Sequence, residues 1–173
     1  MLRGEKVTLR PVEKDDLKLL HEFRADLEIH VLADDDPWLP RPFEHFEHFY
    51  EERLKSTELE AWFVIEADGR MIGDCGLWDF DNTSRHCNLG ISIGDRDFWG
   101  KGYGRDAVRV LVDYAFRHHN ITKVCLTVTA DNERAIKAYE AAGFEREGLL
   151  RRHVWNDGDY KDIVVMGALR PKP

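Results

Sequence analysis

Three glycines at alternate positions, within residues 99–105, constrain this chain more than any other feature of its sequence. The segment joins a strand-like stretch that ends near Ile93 to an amphipathic helical pattern over about residues 104–118. Glycines remove side chains from the turn, so backbone N–H groups can converge on an anion, and the helix adds the positive end of its dipole. Lys101 and Arg105 add formal positive charge. The segment therefore predicts a site for a phosphate or pyrophosphate group.

Two familiar phosphate-binding motifs do not match this segment. A P-loop requires a glycine five residues before its Gly-Lys pair and a Ser or Thr after it, whereas this chain has Asp95 and Gly102 at those positions. The dinucleotide fingerprint requires a third glycine where this chain has Arg105. The remaining pattern fits either another kind of phosphate site or a glycine-rich connection that binds nothing.

Length and composition place the chain among ordinary globular proteins. Its 173 residues fit one domain, which we expect to span residues 1–173, and its 43% hydrophobic and 34% charged residues are not typical of a disordered chain. No apolar run approaches the length of a membrane span, and the N-terminus lacks the apolar stretch of a secretory signal. We therefore expect no association with a membrane.

The net charge and the cysteines indicate which kinds of ligand and which cell compartment to expect. The net charge of −8 argues against general nucleic-acid binding and suits a cationic substrate, although an acidic surface is also common without one. Cys75, Cys87 and Cys125 are odd in number and far apart, so reduced thiols are expected rather than disulfides or a zinc cluster. This predicts a cytoplasmic protein without a metal.

Hydrophobic periodicity predicts one α/β domain in which strands and helices are interspersed. The strands are expected over residues 6–11, 61–67, 70–80, 85–94, 123–129, 149–155 and 160–169. The helices are expected over residues 13–26, 43–55, 104–118 and 132–142, with residues 29–42 irregular. Asp68-Gly69 and Asn156-Asp157-Gly158 predict hairpin turns.

A second signature follows the glycine segment after one helix and one strand. Asn132 opens a helical pattern, Tyr139 lies inside it and Gly143-Phe144 ends it. Together the two segments resemble the GNAT superfamily of N-acetyltransferases. The pyrophosphate loop of that family, usually Arg/Gln-x-x-Gly-x-Gly/Ala, is similar to residues 99–104, with Lys101 or Trp99 at the Arg/Gln position.

The resemblance covers nearly the whole chain. It is strongest to the branch that contains ribosomal-protein N-terminal acetyltransferases and spermidine acetyltransferases. It implies a GNAT-like mixed central sheet of about seven strands with about four helices, and an acyltransferase that uses acetyl-CoA as its co-substrate. The residues it implies in coenzyme binding are Ile91, Ile93, Trp99, Gly100, Lys101, Gly102, Tyr103, Gly104, Arg105, Asn132 and Lys137.

The resemblance also assigns roles to several of these residues. Ile91 and Ile93 would hold the pantetheine arm through their backbones, and Asn132 would cap its own helix, bond the pantetheine, or both. Tyr139 would be catalytic, because its hydroxyl stays protonated at neutral pH and can donate a proton to the departing coenzyme thiolate. The alternative for Tyr139 is a core aromatic, since it lies on an apolar helical stripe.

The general base and the acceptor site are less defined. Related enzymes often carry a glutamate where this chain has Asn88, an amide that accepts no proton at neutral pH, so no base is assigned. The first two helices and their connection would wall the acceptor pocket, and this region holds Asp34, Asp35, Asp36, Trp38, Glu44, Glu47, Glu51 and Glu52. These residues suit a cationic amine, with Trp38 available for a cation–π contact, or form only a solvated acidic surface.

Three functions fit these observations. The main expectation is direct transfer of an acetyl group, in a ternary complex, to a primary amine of a small cationic metabolite such as a polyamine or an amino sugar. The alternatives are acetylation of a protein N-terminus, such as that of a ribosomal protein, and acyl-CoA binding without catalysis, which the intact Tyr139 disfavours. A homodimer is also expected, because edge strands tend to be paired or covered and the family is commonly dimeric.

Overall fold

The computed structural model describes residues 1–33 and 37–172, and within these ranges eight strands form one mixed sheet. The strands are β1 (Leu2–Arg3), β2 (Thr8–Pro11), β3 (Ala61–Ala67), β4 (Arg70–Asp81), β5 (His86–Ile93), β6 (Lys123–Thr129), β7 (Glu145–Asn156) and β8 (Asp159–Leu169). Their order in the sheet is β1-β2-β3-β4-β5-β6-β8-β7. All neighbouring pairs are antiparallel except β5 and β6, which run parallel.

Five α-helices accompany the sheet in the described part of the chain. They are α1 (Leu17–Ala25), α2 (Leu27–Ala33), α3 (Phe43–Lys55), α4 (Tyr103–His118) and α5 (Glu133–Glu140). The predicted α/β class with a mixed sheet is confirmed, with one more strand and one more helix than the sequence indicated. None of the described helices is long and apolar enough to cross a membrane.

Short elements account for most differences from the sequence-based boundaries. Strand β1 has two residues, too few to show alternation, and pairs Leu2 with Leu9. Helix α2 begins at Leu27 and runs to Ala33, so it extends into the stretch that we expected to be irregular from residue 29. Its N-terminus is capped by Asp26, whose Oδ1 accepts from the N–H groups of Glu28 (3.0 Å) and Ile29 (3.3 Å). Seven residues give less than two full turns of periodicity, so the hydrophobic pattern could not reveal this helix.

The boundaries of two other elements also differ from those predicted from the sequence. The predicted helix over residues 13–26 divides into a 3-10 turn, Lys14–Asp16, and helix α1. Strand β7 begins at Glu145, four residues before the predicted start, and is exposed along nearly its whole length because it is the outermost strand of the sheet. Exposure on both faces removes the hydrophobic alternation by which a half-buried strand is recognised.

Helices cover both faces of the sheet. Helix α4 buries Ala107, Leu111 and Ala115 completely, at the helical spacing that the sequence showed, in one core with Cys87 and Leu89 of β5. Leu17, Leu20 and Ile29, from α1 and α2, are also buried but lie outside that core, on the opposite face. The sheet is therefore enclosed where its central strands β4 and β5 run.

The central strands separate at one point. Strands β5 and β6 pair over three residues each, from His86↔Lys123 to Asn88↔Cys125. Beyond Asn88, β5 continues along β4 as far as Ile93, while β6 continues along β8 as far as Thr129. Two unpaired backbone edges therefore face each other across a gap in the middle of the sheet.

Candidate active site

The edge that β5 presents to the gap carries specific peptide groups. Gly94 donates its N–H to Ile72 O of β4 (2.9 Å), and alternate residues of a strand bond to opposite neighbours. Gly90 and Ser92 therefore bond to β4, whereas the peptide groups of Ile91 and Ile93 point into the gap. The Ile93 carbonyl accepts from the indole Nε1 of Trp99 (2.7 Å), which holds the following loop against the end of the strand.

The glycine loop opens directly onto this edge. Gly100 and Gly102 have φ values of 70° and 88°, a left-handed conformation that residues with a side chain rarely adopt. Gly102 is the N-cap of α4, so no side chain covers the first N–H groups of that helix. These donors and the positive end of the helix dipole are the groups that would bind an anion at the mouth of the gap.

A cavity of about 570 Å³ joins the loop, the free edge of β5 and helix α5. It is lined by nearly all the residues predicted for the site: Ile91, Ile93, Trp99, Gly100, Lys101, Gly102, Gly104, Arg105, Asn132, Lys137 and Tyr139. Residues that are distant in the sequence thus meet around one cavity. Its size is within the range of small-molecule and cofactor sites.

Tyr103 is the one predicted coenzyme residue whose side chain does not line this cavity. Its hydroxyl donates to Asp68 Oδ2 (3.0 Å), and its ring packs edge-on against Phe98, with 4.9 Å between ring centroids. The hydrogen bond to Asp68 raises the pKa of Tyr103. The side chain therefore ties the start of α4 to the β3–β4 hairpin.

Two cations at the cavity were missed by the sequence analysis. Lys6 lines it from the segment before β2, and the Arg134 guanidinium lies 4.2 Å from the ring centroid of Trp99. Arg134 could have been identified from the sequence, because it lies in the first turn of a helix. A cation there is unfavourable to the helix dipole unless an anion compensates it. Lys6 carried none, since only the tertiary fold brings it to the loop. The positive residues around the cavity are Lys6, Lys101, Arg105, Arg134 and Lys137.

Tyr139 and Asn132 approach the cavity from α5. Tyr139 is half-buried, packs 5.9 Å from the ring of Phe144 and also lines the cavity, so it combines core packing with access to the site. Asn132 caps its helix, because its Oδ1 accepts from the Ala135 N–H (3.1 Å). Its Nδ2 donates to Leu32 O (3.2 Å), so the Asn132 amide fixes the end of α2 to the start of α5.

A second cavity of about 200 Å³ lies beside the first and shares Leu32 and Asn132 with it. Asp131 and Asp157 supply carboxylates, and Lys161 Nζ lies 2.8 Å from Asp131 Oδ2. That hydrogen bond from Lys161 lowers the pKa of Asp131. The remaining lining residues are Val31, Thr129 and Asn156.

None of the predicted acceptor residues that the structure describes lines either cavity. Asp34, Asp35 and Asp36 are outside the described residues. Trp38 and the four glutamates of the α3 region line neither cavity. Two of those glutamates have lysine partners on the surface, Glu47 with Lys14 (3.7 Å) and Glu52 with Lys55 (2.9 Å), as expected of a solvated acidic helix face.

Asn88 is also outside both cavities. Its Nδ2 donates to Asp79 Oδ2 (2.9 Å), on the neighbouring strand β4. Among the described residues, no group of three or more His, Cys, Asp or Glu side chains is arranged to hold a metal ion.

Comparison with known proteins identifies the family. Residues 6–145 match the model of the acetyltransferase (GNAT) domain. The chain belongs to this family. The acetyltransferase is an N-acetyltransferase with acetyl-CoA as its co-substrate, and the resemblance inferred from the two sequence signatures is confirmed.

Two spermidine acetyltransferases match almost the whole acetyltransferase, and a third relative matches a shorter part of it. The spermidine N(1)-acetyltransferase of Escherichia coli K12 is 29% identical, across 96% of this chain and 87% of the relative. The crystal structure of spermidine N-acetyltransferase from Vibrio cholerae in complex with CoA and spermine superposes with a TM-score of 0.88 at 28% identity, covering 96% of each chain. A putative ribosomal N-acetyltransferase of Bacillus subtilis is 30% identical, but across only 60% of this chain and 56% of the relative.

The loop geometry generates a test of the coenzyme site. We expect Gly102→Val to abolish acetyl-CoA binding in calorimetry, because φ at this position is +88° and a side chain would cover the donors of α4. The fold should persist, since the nearest atom to an added Cβ, Arg105 Nη2, is 3.6 Å away. The matched control is Gly148→Val on exposed β7, where no atom lies within 4 Å of an added Cβ and φ is ordinary. Unchanged affinity in a folded Gly102 variant would disprove the loop assignment.

Proposed function

We propose that this acetyltransferase transfers the acetyl group of acetyl-CoA to a primary amine of a polyamine. The similarity to spermidine N-acetyltransferases, which extends over nearly the full length of both chains, carries this proposal. The similarity to a putative ribosomal N-acetyltransferase is confined to a shorter region, so protein N-termini are the second candidate acceptors.

The second cavity supports a cationic acceptor on physical grounds. It adjoins the coenzyme cavity at Leu32 and Asn132 and holds the carboxylates of Asp131 and Asp157. One lysine, Lys161, faces these two acids, so the cavity has a net negative charge. An acidic recess next to the acetyl group attracts a second ammonium group of a polyamine while its reacting amine reaches the thioester.

The reaction requires an uncharged amine and a protonated leaving group. The nitrogen lone pair of the amine attacks the thioester carbonyl carbon, and an N–H on the free edge of β5 stabilises the oxyanion that develops. The C–S bond then breaks, and Tyr139 donates its phenolic proton to the departing thiolate. The proton lost by the amine leaves through water and restores the tyrosine. Asn88 plays no part as a base, because an amide is not protonated at neutral pH.

We also place the enzyme in the cytoplasm and infer that it self-associates through β7. Cys75, Cys87 and Cys125 are all free thiols, and unpaired cysteines are typical of a reducing compartment. Strand β7 is an uncovered edge that exposes 54% of Leu149 and 52% of Trp155. An exposed edge strand offers unpaired backbone groups with which a second chain can pair.

The acceptor class can be tested by thiol release from acetyl-CoA with a panel of amines. The panel contains spermidine, spermine, an amino sugar, a basic N-terminal peptide and n-butylamine, which reacts like a polyamine but lacks a distal ammonium group. We expect spermidine or spermine to have the highest kcat/KM, by roughly 10-fold or more over every other amine. A peptide or amino sugar as the best substrate would contradict the polyamine proposal and leave the acetyltransferase assignment intact.

The role of Tyr139 can be tested by Tyr139→Phe, which keeps the ring and removes its only transferable proton. Turnover should fall by roughly 10²-fold, the usual scale for one general acid, while acetyl-CoA affinity changes little because one neutral hydrogen bond contributes only ~1 kcal/mol. Tyr103→Phe is the matched control, since that hydroxyl bonds to Asp68 outside the cavity. An early-melting Tyr139 variant with normal turnover per folded molecule would show a purely structural residue.

A further inference from the structure

A buried carboxylate in the first turn of α4 holds the N-terminal segment of the chain. Asp106, with 7% of its surface exposed, accepts from the backbone N–H of Lys6 (2.7 Å) and of Val7 (3.1 Å) through Oδ2. Among the described residues it has no lysine or arginine partner. The two backbone donors therefore account for its burial, because a buried carboxylate needs hydrogen bonds in place of water.

The segment closes tightly around this carboxylate. Gly4 donates its N–H to Val7 O (2.8 Å), which forms a turn over Asp106. A Cβ at Gly4 would lie 2.3 Å from Asp106 Oδ2 and 2.9 Å from Val110 Cγ2, so the backbone approaches α4 more closely than a side chain would permit. The position of Lys6, between the turn and β2, is thereby fixed.

The Lys6 side chain consequently lies at the glycine loop. Its Nζ is 5.2 Å from the ring centroid of Tyr103, and its Cε is 3.9 Å from the position that a Cβ on Gly102 would take. It lines the coenzyme cavity, and no acidic side chain of the described residues pairs with its ammonium group. Lys6 therefore adds a positive charge beside the N-cap of α4, without a salt-bridge partner among the described residues.

This placement is unfavourable for the protein alone. The N-terminus of a helix is the positive end of its dipole, so a cation there is repelled, and Arg105 in the same turn adds a like charge. The contact with the Tyr103 ring and the Asp106 carboxylate in the same turn offset only part of this cost. An anion bound at the loop would turn the same arrangement into a favourable one.

We propose that Lys6 binds a phosphate group of the coenzyme and that Asp106 is the positioning residue that holds Lys6 there. The N-terminal segment thus becomes part of the coenzyme site, although it is separated from the glycine loop by more than ninety residues. The inference rests on the coenzyme cavity alone and is independent of the identity of the acceptor amine.

Lys6→Met tests the contact directly by calorimetry with coenzyme A. Affinity should fall roughly 10-fold or more, the scale of one lost charge-assisted hydrogen bond, and Lys6→Arg should restore most of it. The acetyl-CoA KM should rise while kcat at saturation and the KM for the amine change little. Arg109→Met is the matched control, since Arg109 is on the same helix, faces Glu5 and does not line the cavity. Equal affinity of the Lys6→Met variant and the unsubstituted protein would overturn the proposal.

Binding of 3′-dephospho-coenzyme A shows which phosphate group of the coenzyme Lys6 contacts, the 3′-phosphate or the pyrophosphate. If Lys6 binds the 3′-phosphate, Lys6→Met weakens binding of coenzyme A but not of the dephospho form. If Lys6 binds the pyrophosphate, both ligands are weakened to the same extent. Both results support the contact and assign its partner.

A double-mutant cycle tests the positioning role of Asp106. Asp106→Asn removes a negative charge near the phosphates, which favours binding, and loosens the Lys6 segment, which weakens it. If Asp106 acts through Lys6, Asp106→Asn should weaken coenzyme binding at least about 3-fold more in the presence of Lys6 than in the Lys6→Met background. Identical effects in both backgrounds, with both proteins folded, would show that Asp106 has only a structural role.

Discussion

Hydrogen bonding between β5 and β6 stops at Asn88, and the glycine loop, the free edge of β5 and helix α5 are all arranged around the gap that begins there. Because β5 remains paired with β4 on its other side, the strand stays rigid while the peptide groups of Ile91 and Ile93 face the gap. The loop that follows is held to the strand end by the Trp99 indole. For the proposed coenzyme site, the gap offers a preformed backbone edge to an extended pantetheine arm, with the glycine loop at one end and Tyr139 along its wall.

Helix α2 supplies lining residues to both cavities. Arg96, just before the glycine loop, contacts Asp26 Oδ1 (2.9 Å) and Glu28 Oε2 (2.7 Å) at the N-terminal end of α2. At the other end, Asn132 and Asn156 donate to the carbonyls of Leu32 and Val31. A helix of seven residues has little stability by itself, so these contacts decide its position. The wall shared by the two cavities is thus set by residues from three separate segments.

The sequence predicted those site residues that belong to short local motifs, and it did not predict those that only the fold brings to the site. The glycine loop, Tyr139 and the strand before the loop each carry their signal within a few residues, and all of them meet at the cavity. Tyr103 lies within the glycine loop, but its hydroxyl bonds to Asp68 and its side chain points away from the cavity. The direction of a side chain depends on its neighbours in the folded protein, which a sequence motif does not include. Lys6 and the second cavity arise only from tertiary packing. The acidic α3 face looked like an acceptor wall because sequence shows charge but not exposure.

The central claim is that the coenzyme bonds to the free edge of β5. Site-resolved amide hydrogen exchange with and without coenzyme A tests it most directly, since alternate residues of one strand serve as internal controls. The account predicts that the amides of Ile91 and Ile93 become strongly protected on binding, while those of Gly90 and Ser92, already bonded to β4, change little. Equal protection of all four amides, or none at Ile91 and Ile93 under saturating coenzyme A, would contradict it.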